Sequence, residues 1–192
     1  MMGKLREKYE KWTIPIGKLL STFGITPNQI TILSIFVGLL PLYYLTHRNI
    51  PLALLTFTIT VLMDILDGSV ARATGRVSKF GQLLDHFADR TVEFEIIIGL
   101  ILGDYLPGWL GALMYFSMIM PSYVRARGES LSNISGQGVG FFERKEKILS
   151  IFIGLVAEYY FPGTFCYIAV VVIIFSLITA IQRILFFRKH LA

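Results

Sequence analysis

Apolar stretches separated by short polar segments recur along most of the chain. Six such runs cover residues 30–44, 52–63, 96–105, 110–121, 148–160 and 165–185. A bilayer is crossed by about 20 consecutive, mostly apolar helical residues, and several of these runs are shorter. Polar extensions such as residues 64–72 must then complete the spans while facing protein or water. The pattern predicts an all-α integral membrane protein with six transmembrane helices.

The segment before these runs is charged and amphipathic. Residues 4–20 interleave lysines with apolar and aromatic residues, among them Lys8, Trp12 and Leu19. This pattern predicts a helix lying in the membrane interface, interrupted near Pro15. A basic anchor without catalytic duty is its simpler interpretation. We expect one domain over residues 1–192, with 1–21 as the interfacial helix and 22–192 as the six-helix core.

The placement of positive charge predicts the orientation in the membrane. The chain has 18 Lys and Arg residues, a formal net charge of +5, and 54% hydrophobic residues. With a cytoplasmic N-terminus, the outer turns (47–51, 103–108 and 158–163) hold only Arg48 among these cations. The positive-inside rule therefore places both termini on the cytoplasmic side of the cell membrane. Contact with anionic lipids then explains the net charge, and no nucleic-acid partner is expected.

Four aspartates stand at helical spacings within residues 64–89. Asp64 and Asp67 are three positions apart, and Asp85 and Asp89 are four apart, so each pair lies on one helix face. Ionisable residues at membrane depth mark a functional site by default. If the two helices face each other, the four carboxylates repel one another unless cations neutralise them. Such hard oxygen ligands suit Mg²⁺ or Mn²⁺.

The same segment has the features needed to bind a diphosphate. Two divalent cations held by aspartates can neutralise a diphosphate and stabilise phosphoryl transfer. Arg72 continues the first acidic face and can bind a phosphate oxygen. Gly68, Ala71 and Gly81 let a base or backbone approach closely. The spacing predicts metal-assisted transfer at a diphosphate, with the active site on the cytoplasmic face of the membrane. A cation transporter is the remote alternative.

A second candidate region is the start of the first long helix. Thr26, Pro27 and Gln29 have the arrangement of a capping box with proline at the first helical position. The same helix start offers free backbone N–H groups to an anion or a base edge. A purely structural role and ligand contact are equally good interpretations. Ser78 is likewise the predicted N-cap of the second acidic helix.

The complete pattern D-x2-D-G-x2-A-R-x8-G-x3-D-x3-D resembles the signature of the CDP-alcohol phosphatidyltransferase family, and the six-span layout resembles that family over the entire chain. The resemblance implies a homodimeric, Mg²⁺-dependent enzyme with two ions per site, for which Mn²⁺ is an alternative. Such an enzyme releases CMP as the acceptor oxygen attacks the lipid-side phosphorus. Asp89 would be both a ligand and the catalytic base. The implied metal ligands are Asp64, Asp67, Asp85 and Asp89, and the implied contacts of the CDP-linked lipid are Pro27, Asn28, Gln29, Ile30, Gly68, Ala71, Arg72, Ser78 and Gly81.

Residues outside the signature bear on the acceptor. Four arginines at predicted cytoplasmic helix ends can bind a phosphate dianion, although each is equally well explained as a positive-inside charge. Arg125 and Arg127 lie two positions apart, which is roughly 200° around a helix. They can therefore share one pocket only if the helix unwinds there. These four are Arg125, Arg127, Arg144 and Arg183.

The segments SYVRARGES, FERKEK and ITAIQR look like those of phosphatidylinositol phosphate and archaetidylinositol phosphate synthases. The resemblance implies that the four arginines hold an inositol phosphate. The donor would be CDP-archaeol or CDP-diacylglycerol, because tail contacts need only apolar surface. Glycerol 3-phosphate, serine or another alcohol is the alternative acceptor.

Overall fold

The computed structural model describes residues 13–191, and all regular secondary structure within them is α-helical. This confirms the predicted all-α class for that part of the chain. We label the helical residues 13–22 as α1. The helices that follow are α2 (Pro27–Thr46), α3 (Ile50–Thr74), α4 (Lys79–Leu102), α5 (Gly108–Ser132), α6 (Arg144–Tyr160) and α7 (Phe165–Leu191).

The chain divides into two compact units, Met1–Gly99 and Leu100–Ala192. In the first unit α2 packs along α3. In the second unit α5 and α6 both pack against α7. The arrangement of the whole chain as a single membrane domain stays a prediction.

Three helices, α2, α3 and α7, are long and apolar enough to cross a bilayer by length and composition. This supports a membrane protein. α6 has 17 residues, and the first half of α4 carries acidic and basic residues that lower its hydropathy. The count of six spans therefore stays a prediction.

Local sequence signals set the helix ends of the first unit. The Thr26 hydroxyl accepts a hydrogen bond from the Gln29 N–H at 3.4 Å, and the Gln29 side chain accepts one from the Thr26 N–H at 2.8 Å. The predicted capping box is thus confirmed. α3 ends at Gly75, in the left-handed region at φ 66°, a common helix terminator. The Ser78 hydroxyl accepts the Gly81 N–H at 2.9 Å, as predicted for an N-cap. A short turn therefore separates the two acidic helices.

α1 docks directly on α3. A Cβ atom added at Gly17 would lie 2.7 Å from the backbone carbon and oxygen of Ser69, so the two backbones are in close contact. Ile16 and Leu19, on other sides of α1, are exposed. Pro15 lies inside the helical residues rather than at a break. The first 12 positions lie outside the described residues, so the interfacial helix itself stays a prediction.

Candidate active site

Asp67 on α3 is held in a defined, buried environment. Only 7% of the residue is exposed, and its carboxylate accepts a hydrogen bond from the Thr31 hydroxyl of α2 at 2.6 Å. It also lies within the electrostatic field of Asp64 and Asp85. Acids from α3 and α4 therefore share one local environment, and they repel one another there.

Asp85, His86 and Asp89 form a group of potential ligands on α4. Each of the three offers one donor atom, and these atoms lie within 4.8 Å of one another. Asp89 is buried, Asp85 is partly buried and His86 is exposed, with its Nδ1 3.6 Å from a carboxylate oxygen of Asp85. Asp64 and Asp67 are not members of this group. The arrangement of all four signature aspartates around metal ions therefore stays a prediction.

The acidic face of α4 extends one turn beyond the signature. Glu93 follows Asp89 by four positions and is 4% exposed. The Arg90 guanidinium lies 2.9 Å from a carboxylate oxygen of Glu93 and 3.9 Å from one of Asp89. Asp89 therefore has a cation beside it. The i, i+4 spacing of Glu93 from Asp89 is a signal in the sequence that places it on the same helix face.

Three of the residues predicted to contact the CDP-linked lipid, Asn28, Ser78 and Gly81, meet where α2 and α4 begin. An added Cβ at Gly81 would lie 3.1 Å from the Ser78 hydroxyl and 3.3 Å from the Asn28 side-chain oxygen. The absence of a side chain at position 81 keeps this junction open. Arg72 is exposed at the end of α3, and one of its terminal nitrogens donates to the Ser69 hydroxyl at 3.4 Å.

The remaining predicted contacts differ in their exposure. Ile30 is buried, Ala71 is partly buried, and Gln29 is exposed, with its side-chain oxygen engaged in the helix cap. Pro27 begins α2. These positions can shape a binding surface mainly through backbone and apolar atoms, which favours the structural interpretation of Gln29.

Arg183 in the second unit is buried, with 5% of the residue exposed. Its Nε donates to the Val139 carbonyl at 2.8 Å, and its Nη1 donates to the Pro121 carbonyl at 2.7 Å. Its Nη2 lies 3.8 Å from a carboxylate oxygen of Glu143. Two of its donors are therefore committed to backbone carbonyls, one in α5 and one in the segment that follows it.

The other three arginines differ in their surroundings. Arg125 is partly buried and pairs with Glu129, whereas Arg127 is exposed. α5 is continuous through both positions, so their side chains leave the helix in different directions. The unwound helix needed for a shared pocket is absent from α5, and the structure does not support Arg127 beside Arg125. Arg144 is partly buried at the first position of α6.

A sequence model of the family described as CDP-alcohol phosphatidyltransferase matches residues 24–182 of this chain. The chain belongs to this family. The matched range contains the whole signature and the arginines of α5 and α6. The family resemblance expected from the signature is therefore confirmed, and the protein is a phosphatidyltransferase.

Relatives and solved structures extend this similarity over nearly the full length. An archaetidylinositol phosphate synthase of Pyrococcus horikoshii is 37% identical over 191 residues, covering 100% of this chain and 98% of that protein. A crystal structure of the Mycobacterium tuberculosis phosphatidylinositol phosphate synthase with CDP-DAG bound superposes with a TM-score of 0.81 at 27% identity, covering 91% of this chain and 92% of that one. A second crystal structure of that enzyme, in complex with manganese and citrate, also has a TM-score of 0.81 at 27% identity, covering 91% and 88%.

Thr31, His86, Glu93 and Glu129 were absent from the predicted site residues. Thr31 is an isolated polar residue one helical turn after Pro27, and its link to Asp67 comes from packing between α2 and α3. His86 has no spacing signal apart from its position beside Asp85. Sequence periodicity finds residues on one helix face, but it does not find a partner contributed by another helix.

Proposed function

We propose that this protein transfers the phospholipid part of a CDP-linked lipid to myo-inositol phosphate, giving a phosphoinositol-phosphate lipid and CMP. The observation that carries the proposal is the placement of acids on two helices of one unit. Asp67 of α3 accepts a hydrogen bond from the Thr31 hydroxyl, and Asp85 and Asp89 of α4 have carboxylate oxygens within 4.8 Å of each other. Such carboxylates favour a divalent cation, and a metal-bound diphosphate supplies the chemistry that family membership implies.

The donor residues are those at the junction of α2, α3 and α4. Asn28 and Ser78 lie beside Gly81 and can contact the cytidine part of the donor. Arg72, exposed at the end of α3, can bind a diphosphate oxygen. The apolar surfaces of the helices would keep the lipid tails in the bilayer, which suits CDP-archaeol and CDP-diacylglycerol equally.

The acidic residues fit divalent cations. Asp85 and Asp89 offer carboxylate oxygens within reach of one another, and Thr31 orients the carboxylate of Asp67. Hard oxygen donors of this kind match Mg²⁺, with Mn²⁺ as an alternative. We assign two ions per site, held by the four signature aspartates. When bound, they neutralise the diphosphate and stabilise the developing charge.

Asp89 is the proposed general base. It accepts the proton of the acceptor hydroxyl, whose oxygen then bonds to the lipid-side phosphorus. The bond from that phosphorus to the bridging diphosphate oxygen breaks, and CMP leaves. Burial of Asp89 at 8% exposure limits competing water around it. The Arg90 guanidinium lies 3.9 Å from one of its carboxylate oxygens.

Arg125 and Arg144 are the proposed ligands of the acceptor phosphate. Both are partly buried, and a guanidinium binds a phosphate through two parallel hydrogen bonds. Arg183 contributes positive charge and holds the adjoining segment. The activity named for the Pyrococcus horikoshii relative, 37% identical over 191 residues, supports inositol phosphate as the acceptor.

The proposed setting is the cell membrane, with six spans from α2 to α7 and both termini cytoplasmic. The positive-inside distribution of Lys and Arg supports this orientation. We also propose a homodimer, as the family resemblance implies.

The deciding experiment is an assay of CMP release by purified enzyme with CDP-lipid and Mg²⁺. We expect stimulation by inositol phosphate, loss of activity with a chelator, and a product whose mass is that of the phosphoinositol-phosphate lipid. Stimulation only by glycerol 3-phosphate, serine or another alcohol would show that this compound, and not inositol phosphate, is the acceptor. Metal flux in proteoliposomes without any nucleotide requirement would favour a transporter and reject the transferase.

A further inference from the structure

Glu129, near the end of α5, joins two parts of the second unit through one carboxylate oxygen. Its Oε1 accepts a hydrogen bond from the Arg125 Nε at 2.9 Å. The same oxygen accepts one from the backbone N–H of Gly136 at 2.8 Å. Glu129 therefore fixes the direction of one side chain and the path of the segment after α5 with a single group.

The segment that Glu129 holds is also tied at two later points. Arg183 Nε donates to the Val139 carbonyl at 2.8 Å. The Phe142 N–H donates to the Thr179 hydroxyl at 3.2 Å. Residues 133–143 are thus held against α5 and α7. Arg144 follows directly, so the placement of this segment also sets where α6 begins.

The pairing leaves the outer part of Arg125 available. The hydrogen bond to Glu129 uses Nε, and among residues 13–191 no hydrogen bond of the Arg125 terminal nitrogens is found. Arg125 also lies in the electrostatic field of Arg183. An anion placed between two neighbouring cations relieves their repulsion and holds the guanidinium in place.

Glu129 lies beyond the apolar part of α5, and its surroundings keep it ionised. Burial alone would raise the pKa of its carboxyl group. The hydrogen bonds from Arg125 and Gly136, together with the charges of Arg125 and Arg183, outweigh burial and lower the pKa below its usual 4.5. The carboxylate is thus a permanent acceptor for both donors at neutral pH.

We propose that Glu129 is a positioning residue for the acceptor phosphate: it orients Arg125 and anchors the segment leading to Arg144, so that both guanidinium groups are set before the acceptor binds. The proposal rests on the proposed function. It refines that function, because recognition of a phosphorylated acceptor then depends on an acidic residue that never touches it. Pre-organisation of this kind lowers the ordering cost of binding.

The test compares Glu129→Ala, Glu129→Gln, Arg125→Ala and the double variant Arg125→Ala/Glu129→Ala in steady-state kinetics. We expect Glu129→Ala to raise the KM for inositol phosphate about tenfold, with kcat and the KM for CDP-lipid within about twofold. Glu129→Gln keeps an acceptor oxygen and should raise it only about threefold. The double variant should have nearly the same KM for inositol phosphate as Arg125→Ala alone, because most of the effect of Glu129→Ala acts through Arg125.

Glu158→Gln is the matched control. Glu158 also accepts two backbone hydrogen bonds, from Gly163 and Phe165 at 2.7 Å each, but it does so at the start of α7 and away from the arginines. It should lower the thermal midpoint and leave the KM for inositol phosphate unchanged.

Three results would overturn the proposal. The first is an unchanged KM for inositol phosphate in both Glu129 variants. The second is a double variant whose KM increase is the product of the increases in Glu129→Ala and Arg125→Ala. The third is a KM increase in the Glu158→Gln control as large as that in Glu129→Ala. The Glu129→Gln variant, nearly isosteric, serves if the alanine variant does not fold. If inositol phosphate does not stimulate the wild-type enzyme, inositol phosphate is not the acceptor. The same variants are then compared with glycerol 3-phosphate as the acceptor, which tests the role of Glu129 independently.

Discussion

Thr31 connects the capped helix α2 to the acidic residues of the site. Its hydroxyl lies 2.6 Å from a carboxylate oxygen of Asp67 and 3.1 Å from the Pro27 carbonyl, and the residue is 4% exposed. A hydrogen bond from a buried partner restricts the orientation of a ligand carboxylate and thereby tunes metal binding. Thr31 therefore acts on the proposed metal site through Asp67.

Thr31→Val should weaken activation by the metal. Valine keeps the shape of the side chain but removes the hydroxyl, which leaves Asp67 without this partner. Loss of such an outer partner lowers metal affinity or activity about 10- to 100-fold. The measurement is the Mg²⁺ concentration that gives half-maximal CMP release. Thr31→Ser retains the hydroxyl and should stay close to wild type; equal behaviour of the two variants would exclude this role.

Asp89→Asn should distinguish the base role of Asp89 from the metal-ligand role of the other aspartates. Asparagine cannot accept the acceptor proton, so kcat should fall by at least about 100-fold. Binding of the CDP-lipid should be affected less than in Asp64→Asn, where a metal ligand without the base role is lost. Equilibrium binding of CDP-lipid with Mg²⁺, alongside single-turnover rates, checks both. A comparable loss of donor binding in the two variants would contradict a separate base role for Asp89.

At the scale of helices, α1 and α3 approach each other closely through their backbones. Gly17 lies against Ser69, the residue that follows Gly68 of the signature. An interfacial anchor alone would not need this contact. The docking of α1 therefore gives the N-terminal segment a structural effect on α3 at the point where the donor diphosphate is proposed to bind.

Gly17→Val should disturb that docking. The new Cβ would meet the Ser69 backbone at 2.7 Å, and two backbones must separate to accommodate it, at a cost of about 1–3 kcal/mol. We expect a lower thermal midpoint in detergent and a higher KM for CDP-lipid. Leu19→Ala changes a residue that is 60% exposed on the same helix and should preserve the KM. Identical kinetics in the two variants would show that α1 is an anchor only.

For the molecule as a whole, the length and composition of its helices support a membrane protein. α2, α3 and α7 meet the length and hydropathy of a span. Charged residues of the helices between them are expected to face protein or water rather than lipid, because a charge in the hydrocarbon core is costly.

Single-cysteine labelling tests this topology. In a Cys166→Ser background, Arg48→Cys should react with a membrane-impermeant maleimide in intact cells. Arg76→Cys should react only after permeabilisation, because α3 separates the two positions and positive-inside placement puts the second in the cytoplasm. Labelling of both positions from outside would remove α3 as a span. The reverse pattern would invert the orientation.

Local signals in the sequence were enough to predict the elements around the site. The capping box at Thr26 and the N-cap at Ser78 involve residues only three positions apart, and helical periodicity placed each aspartate pair on one face. Such interactions are encoded within one turn of chain, so they can be predicted without any knowledge of packing.

The sequence by itself thus determined the helical class, the family and the acidic signature. The tertiary structure decided which side chains meet. The contact of Thr31 with Asp67 spans 36 positions and that of Arg183 with Pro121 spans 62. These contacts depend on how whole helices pack, and neither residue type nor spacing specifies that packing. Packing is likewise what commits the Nε and Nη1 of Arg183 to backbone carbonyls of the protein.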